Sequence, residues 1–412
     1  MEDKELYWHL LGLVAPWRVS RVELDIPGQR VDVWVEHPKG ITWPCPECGK
    51  ECSLYDHSPE RVWRHLDSCQ FMTYLHASPP RVNCPEHGVK QVNLPWAEAK
   101  SRFTVLFESL AITVLLRTDI KEAATILRIS WDEAIHLMER AVARGLAAKP
   151  KVAIKRMGVD EKAVGRGQNY FTVVCDLERG VVDAVLEGRT KEALDGYFKS
   201  LGKEGCAAVE VVAMDMCEPY IQATAENIGR EKIVFDIFHA MKRANEAVDA
   251  VRRQEHQALL AKGDRTLAET KYLWLYAEEN LPARYQERFA SLKELDLKTA
   301  RAWAIKESLR RFWSYKDARW AKRYWQRWYF WATHSRLKPM VKVARMLKRH
   351  LDNLLTYFEY RVTNAVSEGL NNKIEAIKRQ AYGFRNLEHF KTAIYFYCGG
   401  LQLYPKTHGN VR

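Results

Sequence analysis

Apolar positions change period several times along the chain, and each change marks an element. Residues Val19–Pro38 alternate, with Val22, Leu24 and Ile26 on one arm and Val31, Val33 and Val35 on the other. Pro27-Gly28 separates the arms, so a β-hairpin is expected. Arg61–Leu66 and Gln70–His76 are strand-like. From Phe103 to Leu146 the period turns helical, and Val105, Leu106, Leu110, Val114 and Leu115 make one stripe. Asp119–Leu127, with Ala123, Ala124 and Leu127 inward, reads as the first helix of a helix-turn-helix. Arg128–Ser130 is its turn and Trp131–Ala143 its second helix, with Ser130 and Glu133 spaced as a capping box. A plain helical hairpin has the same pattern.

Beyond the breaker Lys149-Pro150 the order is strand, strand, strand, helix, strand, helix, strand. Val152–Val159, Tyr170–Cys175 and Val181–Leu186 read as an antiparallel meander. Lys191–Leu201 and Pro219–Ile228 read as helices, and Val209–Met214 and Ile233–Ile237 as buried strands. Mixed sheets of this order occur in ribonuclease-H-like folds. From His239 to about Tyr360 the chain is almost wholly helical, and a last helix, Asn364–Gln380, follows. The expected class is a multidomain α/β protein. A β-hairpin and zinc-ribbon domain covers residues 1–100, and a helix-turn-helix domain 101–149. The first part of a ribonuclease-H-like domain covers 150–240, a basic all-helical insertion 241–360, and a returning helix with tail 361–412.

Charge sharpens this picture. The chain of 412 residues carries a net +12, but Arg301–His350 alone holds fifteen Lys or Arg against Glu307 and Asp317. The same window holds Trp303, Trp313, Trp320, Trp325, Trp328 and Trp331. Positive charge interleaved with aromatics suits a polyanion with stackable bases. Taken singly, each Trp also fits the core of an amphipathic helical segment. Candidate DNA contacts are Trp131, Arg310, Arg311, Arg319, Lys322, Arg323, Trp325, Arg327 and Trp328. No run of eighteen apolar residues occurs and the amino terminus lacks a signal-peptide pattern, so a cytoplasmic, nucleoid-associated protein without a membrane partner is expected.

Thiols stay reduced in that compartment, so clustered cysteines point to metal. Cys45-Pro46-Glu47-Cys48-Gly49 and Cys84-Pro85-Glu86-His87-Gly88 are two knuckles, each offering a ligand pair from one turn, with Gly relieving the backbone. One structural Zn²⁺ on Cys45, Cys48, Cys84 and His87 follows, with Cys52 and Cys69 as bystanders. Three carboxylates stand out by position. Asp160 and Asp215 end apolar strands, and Glu368 opens the last helix. An acid past a buried strand is costly to leave unpaired, and an all-oxygen set suits two Mg²⁺ (or Mn²⁺) ions acting on a phosphate. His239, following Asp236, is an accessory candidate that fits a capping role equally. Lys378, Arg379 and Arg385, near Asn371 and Asn372, are further candidates for the DNA backbone, or for a solvated helix face. Asp176 reads as a turn residue and Glu218 as first-turn helix charge.

The segment Thr363–Phe390, TNAVSEGLNNKIEAIKRQAYGFRNLEHF, resembles the catalytic-glutamate block of the ISL-three group of bacterial insertion-sequence transposases. Gly158-Val159-Asp160-Glu161, Asp215-Met216-Cys217-Glu218-Pro219-Tyr220 and Phe235-Asp236-Ile237-Phe238-His239 resemble its other blocks. The paired knuckles ahead of a helix-turn-helix match its amino-terminal layout. The resemblance spans nearly the whole chain. It implies a DDE triad of Asp160, Asp215 and Glu368, cleavage and strand transfer at terminal inverted repeats, and a homodimer or larger assembly on the element ends and target DNA. Two departures stand out: Arg166-Gly167-Gln168-Asn169-Tyr170 replaces a Lys-Gly-His-like stretch, and His87 stands where Cys is also common. The alternative is a catalytically silent, transposase-derived DNA-binding regulator; a structure-selective nuclease on the same fold is a third reading.

Overall fold

Alternation at the amino terminus produces the hairpin it predicts. In the computed structural model, which describes residues 2–164, 169–362 and 365–406, helix α1 (Asp3–Leu10) precedes β1 (Arg18–Asp25) and β2 (Arg30–Glu36). These two pair antiparallel, with Val31, Val33 and Val35 buried on one face. There follow β3 (Thr42–Pro44), β4 (Glu51–His57), β5 (Arg61–Arg64), β6 (Met72–Ala77), β7 (Pro80–Cys84) and β8 (Gly88–Gln91). They sort into two four-stranded sheets, β1-β2-β6-β5 and β3-β4-β7-β8, over one core that includes Trp17, Trp43, Trp63 and Trp96.

Next come α2 (Val105–Leu115), α3 (Ile120–Leu127) and α4 (Trp131–Ala147). Thr104, Asp119 and Ser130 cap them, each side chain accepting from a backbone N–H in the first turn. The Ser130–Glu133 capping box forms as expected, and α4 runs on to Ala147 because Ala141, Val142 and Gly145 still face the core. Two arginines of α4 are engaged internally. Arg144 pairs with the buried Glu108 and, at 2.9 Å, with Glu98, which Arg140 also meets at 2.9 Å.

The following unit opens with β9 (Arg156–Ala163), β10 (Tyr170–Asp176) and β11 (Val181–Glu187). Then come α5 (Lys191–Ala208, broken at Gly202), β12 (Val211–Met214), α6 (Glu218–Asn227), β13 (Ile233–Phe235) and α7 (Ile237–Leu260). The sheet order is β11-β10-β9-β12-β13. β11, β10 and β9 are antiparallel, while β12 runs parallel to both β9 and β13. Asp160 was expected to end the first strand and instead lies inside it. Pairing with β10 continues from Asp160 to Ala163, whereas pairing with β12 stops at Val159.

The helical stretch comprises α8 (Lys271–Leu275), α9 (Ala283–Glu294), α10 (Lys298–Arg310), α11 (Ala318–His334), α12 (Lys338–Arg349), α13 (Leu351–Leu355) and α14 (Tyr357–Tyr360). Its apolar side chains, among them Trp274, Trp303, Trp325 and Trp328, join the core under the sheet. α15 (Ala365–Gln380) and α16 (Leu387–Cys398) complete the chain. Asn364, expected to open α15, lies outside the described residues, as does the Arg166–Gln168 stretch.

Two compact units result. The residues through Pro150 pack with those from Ile377 onward, and Lys151–Ala376 form the other. The returning segment expected over 361–412 is therefore divided within α15. The cause is apolar. α16 buries Phe390, Ala393, Ile394 and Phe396 and packs along α4, and Tyr397 Oη donates to the Leu115 carbonyl at 2.9 Å. Among the described residues, no helix is long and apolar enough to cross a membrane.

Candidate active site and metal centre

The two knuckles converge. Cys45 follows β3, Cys84 ends β7, and the ligand atoms of Cys45, Cys48, Cys84 and His87 all lie within 4.8 Å of one another. Cys48 Sγ is 3.7 Å from Cys84 Sγ, and His87 Nδ1 is 3.6 Å from Cys84 Sγ and 3.9 Å from Cys45 Sγ. Thiolates about 2.3 Å from a tetrahedral zinc stand roughly 3.8 Å apart, so this set fits Zn²⁺. Gly49 and Gly88 adopt φ of 73° and 67°, the left-handed backbone that each knuckle needs after its second ligand. A backbone hydrogen bond from Glu86 helps bring the Cys84 thiol down to about 7, toward the thiolate that metal requires. Cys52 is buried with its thiol on the Lys50 carbonyl, a bystander as expected.

The sheet of the second unit sets two acids side by side. Met214 is the register partner of Val159, so the next residue on each strand, Asp215 and Asp160, stands at the end of the parallel pair. Asp236 follows the same way, since Phe235 is the partner of Met214. Asp236 caps α7 by accepting from the Phe238 N–H at 3.0 Å. Burial raises the Asp160 carboxyl above the usual carboxylate range, although the Glu161 N–H, His239 and the Asn371 amide pull it down. Burial also raises Asp215, with Asp160 and Glu161 adding like-charge repulsion and His239 opposing. Asp215 Oδ1 is buried with no hydrogen-bond partner among the described residues. Such an oxygen is expensive without a proton or a cation.

Glu368 is exposed in the first turn of α15. Among the described residues only the zinc-type ligands form a set of three or more metal-capable groups within 4.8 Å, so Asp160, Asp215 and Glu368 do not converge to that separation. α15 is nonetheless tied to β9. Asn371 Nδ2 donates to Asp160 Oδ2 at 2.5 Å, and Lys162 Nζ meets Glu375 at 2.8 Å. A cleft of about 580 Å³ beside Asp215 is lined by His239, Glu218, Arg243, Lys342 and Arg349. Asp176 is the turn residue expected, accepting from the Glu178 and Arg179 N–H groups. Glu218 is in the first turn of α6.

The DNA candidates divide by burial. Trp325 and Trp328 are a correction: they are 3% and 2% exposed, and Trp328 Nε1 donates to the Ile305 carbonyl. Neither ring can reach a base while the fold is intact. α11 instead turns Arg319, Trp320, Lys322, Arg323, Arg327 and Trp331 outward, with the Arg323 guanidinium 4.9 Å over the Trp320 ring. Arg311 is exposed, whereas Arg310 is ion-paired to Glu279 at 2.5 Å. Trp131 is 41% exposed, its ring 5.6 Å from that of His389. Arg385 belongs to the first unit, lining a cleft of about 580 Å³ with Lys121, Trp131 and Tyr382. Lys378 and Arg379 end α15 in that same unit. Strand periodicity also marks Asp236 as a strand-end acid, a signal the sequence analysis leaves unused. Asn371 stands out in sequence only as a neighbour of the basic residues after Glu368, and nothing local marks Lys162 or Glu375.

A paired-knuckle ribbon, a helical segment with a capped turn and a mixed sheet bearing Asp160 and Asp215 follow one another along the chain, and the comparisons with known proteins match all three. Residues 157–394 match the ISL3 family model described as transposase, and residues 41–87 match the zinc-finger of transposase IS204/IS1001/IS1096/IS1165. Residues 92–142 match the helix-turn-helix domain of transposase family ISL3. The chain belongs to the ISL3 transposase family. It is 26% identical to the transposase for insertion sequence element IS1001 of Bordetella parapertussis, over 95% of this chain and 97% of that one. It is 27% identical to the transposase for insertion sequence element IS1557 of Mycobacterium tuberculosis, over 94% of this chain and 93% of that one.

Proposed function

We propose that this transposase cuts and rejoins DNA through a carboxylate set of Asp160, Asp215 and Glu368 in a ribonuclease-H-like domain. The observation that carries the reading is the side-by-side placement of Asp160 and Asp215 where the parallel pairing of β9 with β12 stops, with Asp215 Oδ1 unpartnered among the described residues. The fold assignment is supported by the sheet order, three antiparallel strands followed by two parallel ones. Hard oxygen donors suit Mg²⁺ or Mn²⁺, and two such ions activate a water or 3′-hydroxyl and stabilise the leaving oxygen. Asp160 and Asp215 would hold them from the sheet and Glu368 from the helix, while His239 favours the ionised carboxylates that ligation requires.

The ribbon and helix-turn-helix bind the terminal inverted repeats, and the outward face of α11 holds DNA by charge with Trp320 and Trp331 as stacking platforms. Two ends must be joined, so the working assembly is a dimer or larger. Excision of a marker flanked by the native ends, compared between wild type and Glu368→Gln, tests the reading. Wild-type excision with a mutant that binds ends but does not cut supports it. Equal excision by both removes Glu368 from the set, and silence of both with intact binding favours a DNA-binding regulator.

A further inference from the structure

β9 and α15 meet in a matched register. Gly158, Asp160 and Lys162 alternate onto one side of the strand, and Ser367, Asn371 and Glu375 recur every fourth residue on the helix. Two strand residues advance about 6.7 Å and four helical residues about 6 Å, so the two rows stay in step for two repeats. Each rung makes its own contact. At Gly158 the helix comes close enough that a β-carbon there would stand 2.3 Å from Ser367 Oγ. Asn371 Nδ2 donates to Asp160 Oδ2 at 2.5 Å. Lys162 Nζ reaches Glu375 at 2.8 Å and the Asn371 backbone carbonyl at 3.3 Å.

The chemistry of the middle rung is specific. Asp160 Oδ1 accepts from the Glu161 N–H at 2.8 Å and Oδ2 from the Asn371 amide, and both donors are neutral. They fix the carboxylate without cancelling its charge. Lys162, on the same side of the strand, would cancel it, but Glu375 and the Asn371 carbonyl engage its ammonium. Glu368 lies one turn before Asn371 on the same helix, so the register that seats Asn371 also sets where Glu368 stands.

We propose that Asn371 is a positioning residue for the metal-binding carboxylates. Its amide orients Asp160, its seat on β9 fixes the register of α15 and hence of Glu368, and Glu375 keeps Lys162 from competing for Asp160. This rests on the reading of Asp160, Asp215 and Glu368 as the carboxylate set. Partners of this kind change metal affinity by about 10–100-fold when removed.

The test uses the full-length protein bound to a DNA end, with Mn²⁺ alone as probe. Binding is followed by the loss of free-ion electron paramagnetic resonance signal, and cleavage is measured against Mn²⁺ concentration. Asn371→Ala is expected to raise the half-saturating Mn²⁺ about tenfold while the rate at saturating metal stays within roughly threefold. Glu375→Gln, further from the carboxylates, is expected to shift Mn²⁺ binding the same way by releasing Lys162, and decides the matter if Asn371→Ala fails to fold. Wild-type Mn²⁺ binding by both variants overturns the proposal. Asp160→Asn separates the two levels: if it binds Mn²⁺ and cleaves as wild type, the carboxylate reading itself has failed. If it is inactive while Asn371→Ala and Glu375→Gln bind metal normally, only the positioning role has.

Discussion

Ser367 Oγ is buried against Gly158, with no hydrogen-bond partner among the described residues, and a β-carbon on Gly158 would come within 2.3 Å of it and 2.8 Å of Leu177 Cδ2. The Ser367 and Leu177 side chains thus occupy the space that a side chain at position 158 would need. Gly158→Ala should cost about 1–3 kcal/mol through overpacking. Where the clash is relieved by a shift of Ser367 together with the helix that carries it, cleavage should fall further than stability does. Chemical denaturation beside single-turnover cleavage separates the two, and a variant that loses neither would show the packing there to be soft.

Charge and rings on α11 should separate cleanly by exposure. Trp328→Ala removes a buried ring and its hydrogen bond to Ile305, and should cost roughly 3–5 kcal/mol of folding stability. Trp320→Ala, 57% exposed in the wild type, should stay within about 0.5 kcal/mol in stability. Arg323→Ala with Arg327→Ala should flatten the salt dependence of DNA binding by about one unit for each phosphate left without its arginine. Anisotropy titrations with labelled DNA at several salt concentrations measure this, and an unchanged slope would move the DNA off this face.

Replacing Cys48 with Ser, or stripping zinc with a chelator, should unfold the small sheet β3-β4-β7-β8, which is knit by the Cys45, Cys48, Cys84 and His87 cluster. End binding should be lost while the β9–β13 sheet keeps its melting transition. Circular dichroism with a zinc-release assay reads both, and full end recognition without zinc would sink the structural role.

Burial holds Asp160 and Asp215 high, which links stability to pH. A carboxyl raised in the fold contributes stability while it is protonated, below its unfolded range. That contribution is lost as pH rises through the folded value. In magnesium-free buffer Asp215→Asn should therefore melt above wild type at neutral pH, by roughly 2–4 °C for each kcal/mol gained, with the gap closing in acid. Mn²⁺ affinity of the wild type should weaken as pH falls through the same range, because ligation needs the ionised groups. Identical melting curves across pH would mean that the two acids are not strained by burial.

Much of the site was legible because it is written in short-range pattern. The two knuckles carry their ligands within four residues each, and Ser130 with Glu133 announces the start of α4. Asp215 could be read because an apolar strand delivers it. Val159, the last apolar residue before it, makes Asp160 look like a strand end in sequence, yet β10 continues to pair beyond it. Other features depend on which surface another element covers, and local pattern does not carry that. Trp325 and Trp328 look the same in sequence as Trp320 and Trp331, but only the former face the core. The rungs Asp160–Asn371 and Lys162–Glu375 join residues 211 and 213 positions apart, and no periodicity within either element points to the other.

α16 lies along α4, setting His389 against Trp131 and 3.6 Å from Glu139, while a β-carbon on Gly145 would meet Leu401. Synthesis runs from the amino terminus, and domains generally close in the order they emerge from the ribosome. Here that order is inverted. All of Lys151–Ala376 is available before Leu387 appears, whereas the unit that begins at the amino terminus must wait for α16. A translation product that stops short of Leu387 thus carries α4 with one side bare and an unfinished DNA-binding half. Interrupted copies of the reading frame should yield aggregation-prone fragments rather than competitors for the element's ends.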